Sequence, residues 1–433
     1  MPMRGARWVA AGLVDQTVIA LANAGLTLLA LAVVNPRPRV GDLLLTLSLG
    51  YLVLGLNREF VGNVLLAQLP RLAGADRARL VRDGVAAAFT VGCLAALALL
   101  GVWAFWRHPV GDVSLADLVW LAPLLPAVLV HDTGRAVYLA DREPARALRI
   151  DLVWVGTQAG LLLAGAASGR LTPGLLPLSW GLGALAGGTV FLVRTRIPAW
   201  RGDPRRWLST TRHLAGWFTA TGVVGQFHVQ AVGWIVAGQL SRTDIAALRA
   251  GQIALLQPVQ NVVTAMMGLL VPRSSRLAGD RDAAGVHRQT VRVAAAFAVL
   301  AVAMVAVAVP VGRLVAGHIP KYADVAGLVL PIAIQAGIYL VQVPFAAAIR
   351  GMHRGRLLFG QYLLFTCVSL TGLVLGAGTG RLSTAAWGLT TGSAIGFAVF
   401  VAVYAWAVAR LRSESSPVDA AEPSSTNASP ASR

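Results

Sequence analysis

The chain has 433 residues, 56% of them hydrophobic and only 13% charged, and its mean hydropathy is +0.67. That composition excludes a soluble globular protein and gives an all-α polytopic membrane protein. The net charge of +18 does not point to nucleic acid, because the cationic residues sit in short loops between apolar runs and form no basic domain.

In chain order the apolar runs predict twelve transmembrane helices, at 8–34, 43–69, 84–106, 116–140, 149–167, 173–194, 212–238, 246–271, 290–315, 324–349, 357–377 and 384–409. Each is about the 20 residues a bilayer requires. Proline and glycine clusters or charged residues separate them. The first run, from Trp8, lacks a small-residue cleavage site and reads as a retained span, not a signal peptide. The expected organisation is a six-helix lobe over 1–194, a cytoplasmic linker over 195–211, a second six-helix lobe over 212–411 and a disordered tail over 412–433. The two cysteines, Cys93 and Cys367, lie inside apolar runs, too isolated for a disulfide or a metal site, and are expected as buried small hydrophobes.

Arginines concentrate in alternate loops: at Arg71, Arg77, Arg79 and Arg82 after the second span, at Arg142, Arg146 and Arg149 after the fourth, and at Arg350, Arg354 and Arg356 after the tenth. The intervening loops are poorer in them. This asymmetry places both termini in the cytoplasm, which requires an even number of spans. The halves also repeat. LPRLAGADRARLVRDGVAAAF (69–89) matches VPRSSRLAGDRDAAGVHRQTVRVAAAF (271–297), and SGRLTPGLLPLSWGLG (168–183) matches TGRLSTAAWGLTTGSA (379–394). Matches in the same order at similar offsets describe a 6+6 parallel repeat, with a site expected between the halves.

Polar stripes at helical spacing show which faces avoid lipid. The first span carries Gln16 and Asn23, with Asp15 near its inner end. The second aligns Tyr51, Gly55, Arg58 and Gly62, with Glu59 on the adjacent face. A charge at mid-span is expensive and usually faces a bundle interior or wet cavity. The seventh carries Gln226 and Gln230; the eighth Arg249, Gln257 and Asn261, kinked at Pro258; the tenth Gln335, Tyr339 and Gln342. Each amide taken alone can be interhelical glue. Together they predict a polar central cavity with Arg58 as its cationic contact and Glu59 as a coupling carboxylate. His131, Asp132 and Arg135 in the fourth span, spaced for contacts within one turn, read as an inner gate or a structural network, with Asp15 beside them as an ion-coupling candidate. No P-loop, zinc spacing or nucleophile elbow occurs, so no enzyme and no cofactor is expected, and transport would draw on an ion gradient, the membrane potential or the substrate gradient.

Several runs carry a family resemblance: GLVDQTVIALANAGLTLL (12–29), NREFVGNVLLAQLPR (57–71), LVHDTGRAVYLADREPARALRIDLVW (129–154) and AIRGMHRGR (348–356). In order and spacing they resemble the actinobacterial polysaccharide-flippase branch of the multidrug/oligosaccharidyl-lipid/polysaccharide exporter superfamily. The resemblance implies a V-shaped pair of six-helix lobes in the plasma membrane. It implies a polyprenyl-diphosphate-linked glycan as substrate; a polysaccharide polymerase or glycosyltransferases are candidate partners, and a coupling cation or proton is a candidate whose identity stays open. The chain departs from that pattern after Glu59, where it has Val61-Gly62-Asn63. Three alternatives stay open: a cation-coupled multidrug exporter of the same fold, a major-facilitator-type solute carrier, and a non-transporting scaffold of a polysaccharide-synthesis complex.

Overall fold

The computed structural model describes residues 37–106, 114–197, 201–241, 251–318 and 326–414, together with residues 14, 17–19, 21, 22, 25, 26, 29 and 30 of the first span and residues 244, 247 and 248. Among the described residues the regular structure is helical, with no strand. The second span is α1 (Arg37–Asn57), a π-turn (Arg58–Gly62) and α2 (Asn63–Gln68). Then come α3 (Gly74–Trp106), the short α4 (Leu118–Leu121), α5 (Leu125–Ala140), α6 (Pro144–Ala167) and α7 (Leu175–Thr195). The second half has α8 (Pro204–Gln239), a π-turn (Gln252–Leu256) leading into α9 (Gln257–Gly279), then α10 (Ala283–His318), α11 (Ala326–Gly351), α12 (Gly355–Ala377) and α13 (Leu382–Ser413).

Eight of the described helical segments are long and apolar enough to cross a membrane. The shortfall from twelve has physical causes. The fourth span is broken at Ala122–Leu124, where Pro123 and then Pro126 interrupt the backbone ladder. In α8 and α9 the amides Gln226, Gln230, Gln257 and Gln260 dilute the apolarity of otherwise spanning helices. The first span lies largely outside the described residues. The chain is a multi-pass, all-helical membrane protein whose architecture fits twelve helices in two six-helix lobes.

The repeat is visible in the backbone. Six of the seven left-handed residues pair across it: Gly74 (φ 54°) with Arg281 (56°), Arg142 (60°) with His353 (61°), and Gly169 (66°) with Gly380 (73°), while Arg196 (53°), which ends α7, has no mate among the described residues. Left-handed geometry is costly for arginine and histidine, so its recurrence at matching turns marks one supersecondary plan used twice. A π-turn also recurs in the second and eighth spans, the corresponding spans of the two halves.

In the first half α5 packs on α3 and α7, and α6 on α7. In the second, α11 packs on α9, α10 and α13, and α12 on α13. The α12/α13 crossing depends on glycine: a Cβ at Gly392 would meet Ser369 Cα at 2.5 Å, and Gly372 and Gly388 face each other in the same seam. Helix α10 is peripheral, only 17% buried in its spanning window, which agrees with its apolar sequence. Cys93 is half-buried and Cys367 exposed on α12, so the expectation of two buried thiols is corrected: Cys367 lies on the outer side of its helix. Residues 204–211 of the expected linker are helical and continuous with α8. Asp203 caps that helix by accepting from the Arg205 amide, and Trp207 is fully buried against Gly84 and Leu65.

The hydrogen bonds that join the halves cluster at the arginine-rich end. Arg71 donates to Ser275 Oγ at 2.9 Å and to the Ser275 carbonyl at 3.1 Å, and also to the Gly351 carbonyl. Ser275 Oγ donates to the Ala67 carbonyl, Arg276 to the Ala140 carbonyl at 2.6 Å, and His353 Nε2 lies 3.0 Å from the Ala67 carbonyl. Burial, then the Arg71 charge, push the His353 pKa down to about 4. The folded form therefore resists protonation, and the contribution of neutral His353 is complete above the unfolded value near 6.5 and is lost as pH falls from there toward 4. Thermal stability should drop over that window, and His353→Gln should flatten the drop. Parallel melting curves for the two proteins would exclude this role.

Candidate functional site

Between the halves lies a cavity of about 430 Å³, within the range of small-molecule sites. The π-turn shapes one wall. Such a turn adds a residue to the helical ring and re-aims the side chains beyond it. Arg58, Glu59, Gly62 and Asn63 consequently all line the cavity, as does Gly55. Tyr51, expected on the same stripe, instead packs edge-on against Trp180 with ring centroids 5.4 Å apart. The opposite wall comes from α8 and the remainder from α5, α9, α11 and α12. Gly222 lets α8 come close to the π-turn: a Cβ there would meet Glu59 Cγ at 2.7 Å.

Neighbours in sequence, Arg58 and Glu59 take different partners. Arg58 donates from Nε at 3.0 Å and from Nη2 at 2.8 Å to Asp132 Oδ1. Its side chain keeps 37% exposure while that of Asp132 has 8%. Glu59 accepts from Arg350 Nη2 at 3.1 and 3.3 Å, which makes a charge pair between the two halves. Behind Asp132 the network continues: Arg135 reaches Asp132 at 3.4 Å and donates from Nε to Asp151 Oδ2 at 2.7 Å. His131 Nε2 lies 3.1 Å from Asp151 Oδ1. Asp151 is fully buried. Charged groups taken out of water survive by this pairing and are costly without it.

Of the residues read from sequence, Arg58, Glu59, Asp132, Arg135, Gln226 and Gln342 line the cavity. Others do not. Gln230, one turn beyond Gln226, is exposed and off the wall; Gln257 is exposed and Asn261 half-buried, and the α9 face in the cavity is Gln260, Thr264 and Gly268. These α9 residues all lie on the regular helix that follows the π-turn at Gln252–Leu256, and the cavity is centred on its Gln260 and Met267 side, to one flank of the expected stripe. Gln335 is buried against Tyr339 at 3.2 Å and Ser393 at 3.4 Å, which makes it interhelical glue. His131 sits behind the wall. Asp15, Gln16, Asn23 and Arg249 lie outside the described residues. The sequence reading missed Asp151 and Arg350. Arg350 was counted among loop arginines, yet it is 5% exposed and lies under the Phe218 ring, 5.7 Å from its centroid. A carboxylate in the first turns of an apolar span was the available signal for Asp151. No group of three or more His, Cys, Asp or Glu suited to a metal occurs among the described residues.

No family model and no curated protein matches the chain. Solved structures do. A MATE transporter in the straight conformation is 10% identical, covers 94% of this chain and 96% of its own, and superposes with a TM-score of 0.82. This is the MATE fold. An outward-facing multidrug resistance MATE family transporter of the MOP superfamily gives 12% identity, the same coverages and a TM-score of 0.81. A MOP superfamily transporter from Pyrococcus furiosus, described as having a binding pocket of reversed polarity that suggests a different function, gives 10% identity over 95% of this chain and 96% of its own, with a TM-score of 0.77. In this MATE fold the cavity lies where the two halves meet, and its charged groups belong to both.

Proposed function

We propose that the chain is an exporter working by alternating access between lobes 1–194 and 212–411, and that it carries a polyprenyl-diphosphate-linked glycan, or a related lipid-linked sugar, from the inner to the outer leaflet of the plasma membrane. The observation that carries this reading is Arg58: a guanidinium at mid-membrane depth, 37% exposed in an interlobe cavity, with Nε and Nη2 on Asp132 and Nη1 uncommitted among the described residues. Arginine holds phosphate oxygens through charge-assisted, directional bonds, and low dielectric strengthens them. The amides of Gln226, Gln260 and Gln342 on the same walls suit sugar hydroxyls. With the arginine-rich end cytoplasmic, the Arg71, Arg276 and His353 contacts close the inner side, which makes this an outward-facing state. Glu59 is the candidate coupling carboxylate, and a polymerase or glycosyltransferase the candidate partner.

A multidrug exporter of the same fold is the second reading. It is favoured by the aromatic lining around Phe365, where the Tyr339 and Tyr362 ring centroids lie 6.0 and 6.4 Å away. The test is Arg58→Ala in the producing strain. Glycan export should fall roughly ten- to a hundredfold, the worth of a charge-assisted contact of about 1.5–3 kcal/mol, while membrane abundance holds and lipid-linked glycan accumulates on the inner leaflet. Normal surface glycan in that mutant, or in a full deletion, would sink the reading. Dye resistance lost in the deletion would favour the second.

A further inference from the structure

A second recess lies behind the elements that wall the cavity. It encloses about 500 Å³ and shares no lining residue with the interlobe cavity. Arg58, Glu59 and Gly62 of the π-turn line the cavity, while Phe60 lines the recess. Helix α8 divides in the same way. Gly222, Gln226 and Val229 line the cavity, and Leu208, Arg212, Ala215, Thr219 and Val223 line the recess. Those five recur at helical spacing and form one stripe along the helix. Phe60 from the first half and Phe359 on α12 form its sides. Trp217 packs on Phe359 with ring centroids 5.3 Å apart. Leu208 and Val223 are each 52% exposed, so the recess is a groove that opens to the bilayer.

Length and charge select its occupant. At 1.5 Å per residue the run from Arg212 to Val224 is about 18 Å, close to the ~15 Å hydrocarbon depth of one leaflet. Arg212 stands at its arginine-rich end and is the only charged residue of the lining among the described residues. Arg206, on a neighbouring face of α8, is taken by Asp83 at 2.6 Å. Arg212 is exposed and has no ion pair among the described residues. Arg205 lies two turns before it on the same stripe, and Arg356 one turn before Phe359 on α12, both exposed. An apolar groove one leaflet deep, with cations at its headgroup end and none along its length, complements a lipid with an anionic head. An organic cation is repelled at that end. The tail of a substrate held at Arg58 fits poorly, because Arg58 is on the other side of the π-turn and the groove's cations lie a leaflet's depth away. We propose that the groove holds one anionic phospholipid from the leaflet at the arginine-rich end, its phosphate on Arg212 and one acyl chain along α8 between Phe60 and Phe359. Such a lipid touches both halves of the protein, whatever the cavity carries.

The test uses the full chain in a neutral detergent, titrated with phosphatidylglycerol or phosphatidylcholine of matched acyl chains, with bound lipid counted by native mass spectrometry. The wild type should take up one phosphatidylglycerol about tenfold more tightly than phosphatidylcholine, the worth of one charge-assisted contact. Arg212→Gln should bring phosphatidylglycerol down to the phosphatidylcholine level. Gly216→Leu should weaken both lipids several-fold. Gly216 lines the groove and a Cβ there meets nothing within 4 Å, so the leucine fills the groove without a clash, and leucine favours the helix over glycine. If the wild type binds the two lipids alike, or the preference survives Arg212→Gln, the headgroup site is wrong. If Gly216→Leu binds phosphatidylglycerol as the wild type does, the lipid does not lie in the groove and the proposal falls. Export enters none of these readouts, so the exporter reading stands or falls separately.

Discussion

Asp151→Ala should lose about 3–5 kcal/mol of stability, the cost of stripping one partner from a buried ion pair, and should be seen as a large fall in melting temperature or as protein missing from the membrane. Asp151 has no exposed surface and answers two groups at once, Arg135 at 2.7 Å and His131 at 3.1 Å. Without it, Arg135, 6% exposed in its side chain, loses its 2.7 Å carboxylate and leans on Asp132 at 3.4 Å, and Asp132 already serves Arg58 at 2.8 Å. Two arginines would then share one carboxylate in low dielectric. Asp151→Asn, which keeps the shape and an acceptor oxygen, should cost less. Arg58→Ala should cost least of the three, because Asp132 keeps Arg135 and the lost side chain is partly solvated. A melting temperature for Asp151→Ala equal to wild type would show that the network is dispensable to the fold. The ordering matters for reading transport data: loss of export in Arg58→Ala reports on the cavity, while loss in Asp151→Ala reports on folding.

How much of the molecule was legible in the sequence depends on the range of the forces involved. The spans were legible because membrane burial acts on runs of about twenty residues, and a run is local information. The repeat was legible for the same reason, and the left-handed pairs Arg142/His353 and Gly169/Gly380 show it reaching the backbone. Arg58 and Glu59 stood out because charge in an apolar span is rare. Their partners did not, since Asp132 and Arg350 lie 74 and 291 positions away, and pairing depends on which helices cross. Arg350 was hidden by position: at the end of a span, an arginine reads equally as a loop cation or as a cavity cation, and only the packing of α11 under Phe218 separates the two. The π-turns were hidden because helical periodicity assumes one pitch. A turn with one extra residue at 58–62 or 252–256 leaves no trace in a stripe counted at 3.6 residues per turn, and which flank of a stripe meets the cavity, Gln260 and not Gln257 or Asn261, depends on how α9 packs.

Glu59 and Arg350 should behave as a joint. Theirs is a charge pair across the two lobes at cavity depth, with side-chain exposures of 19% and 6%, just inside the contacts of Arg71, Ser275 and His353. The proposed alternating access would require these contacts to part in each cycle. Arg350→Gln should cost about 2–5 kcal/mol, since it leaves Glu59 facing α8 without a counter-charge across a close Gly222 contact. Glu59→Gln should cost a similar amount by leaving Arg350 unpaired. The double substitution should recover most of the loss, because two amides can hydrogen-bond where two charges paired, and a coupling energy above about 1 kcal/mol in that cycle is the signature of direct contact. Loosening should also be visible at the arginine-rich closure. Ser274 is 1% exposed there and packs against Gly351. In a background without Cys93 and Cys367, Ser274→Cys should react with a polar maleimide several-fold faster when Arg350→Gln is added. It should return toward the original rate in the double variant. Export should stay impaired in that double variant, because an amide pair closes the lobes but an amide in place of Glu59, the candidate coupling carboxylate, can take up neither a proton nor a cation. Equal labelling rates in all four proteins, with no coupling energy, would remove the pair from the gating path and leave closure to the Arg71, Arg276 and His353 contacts alone.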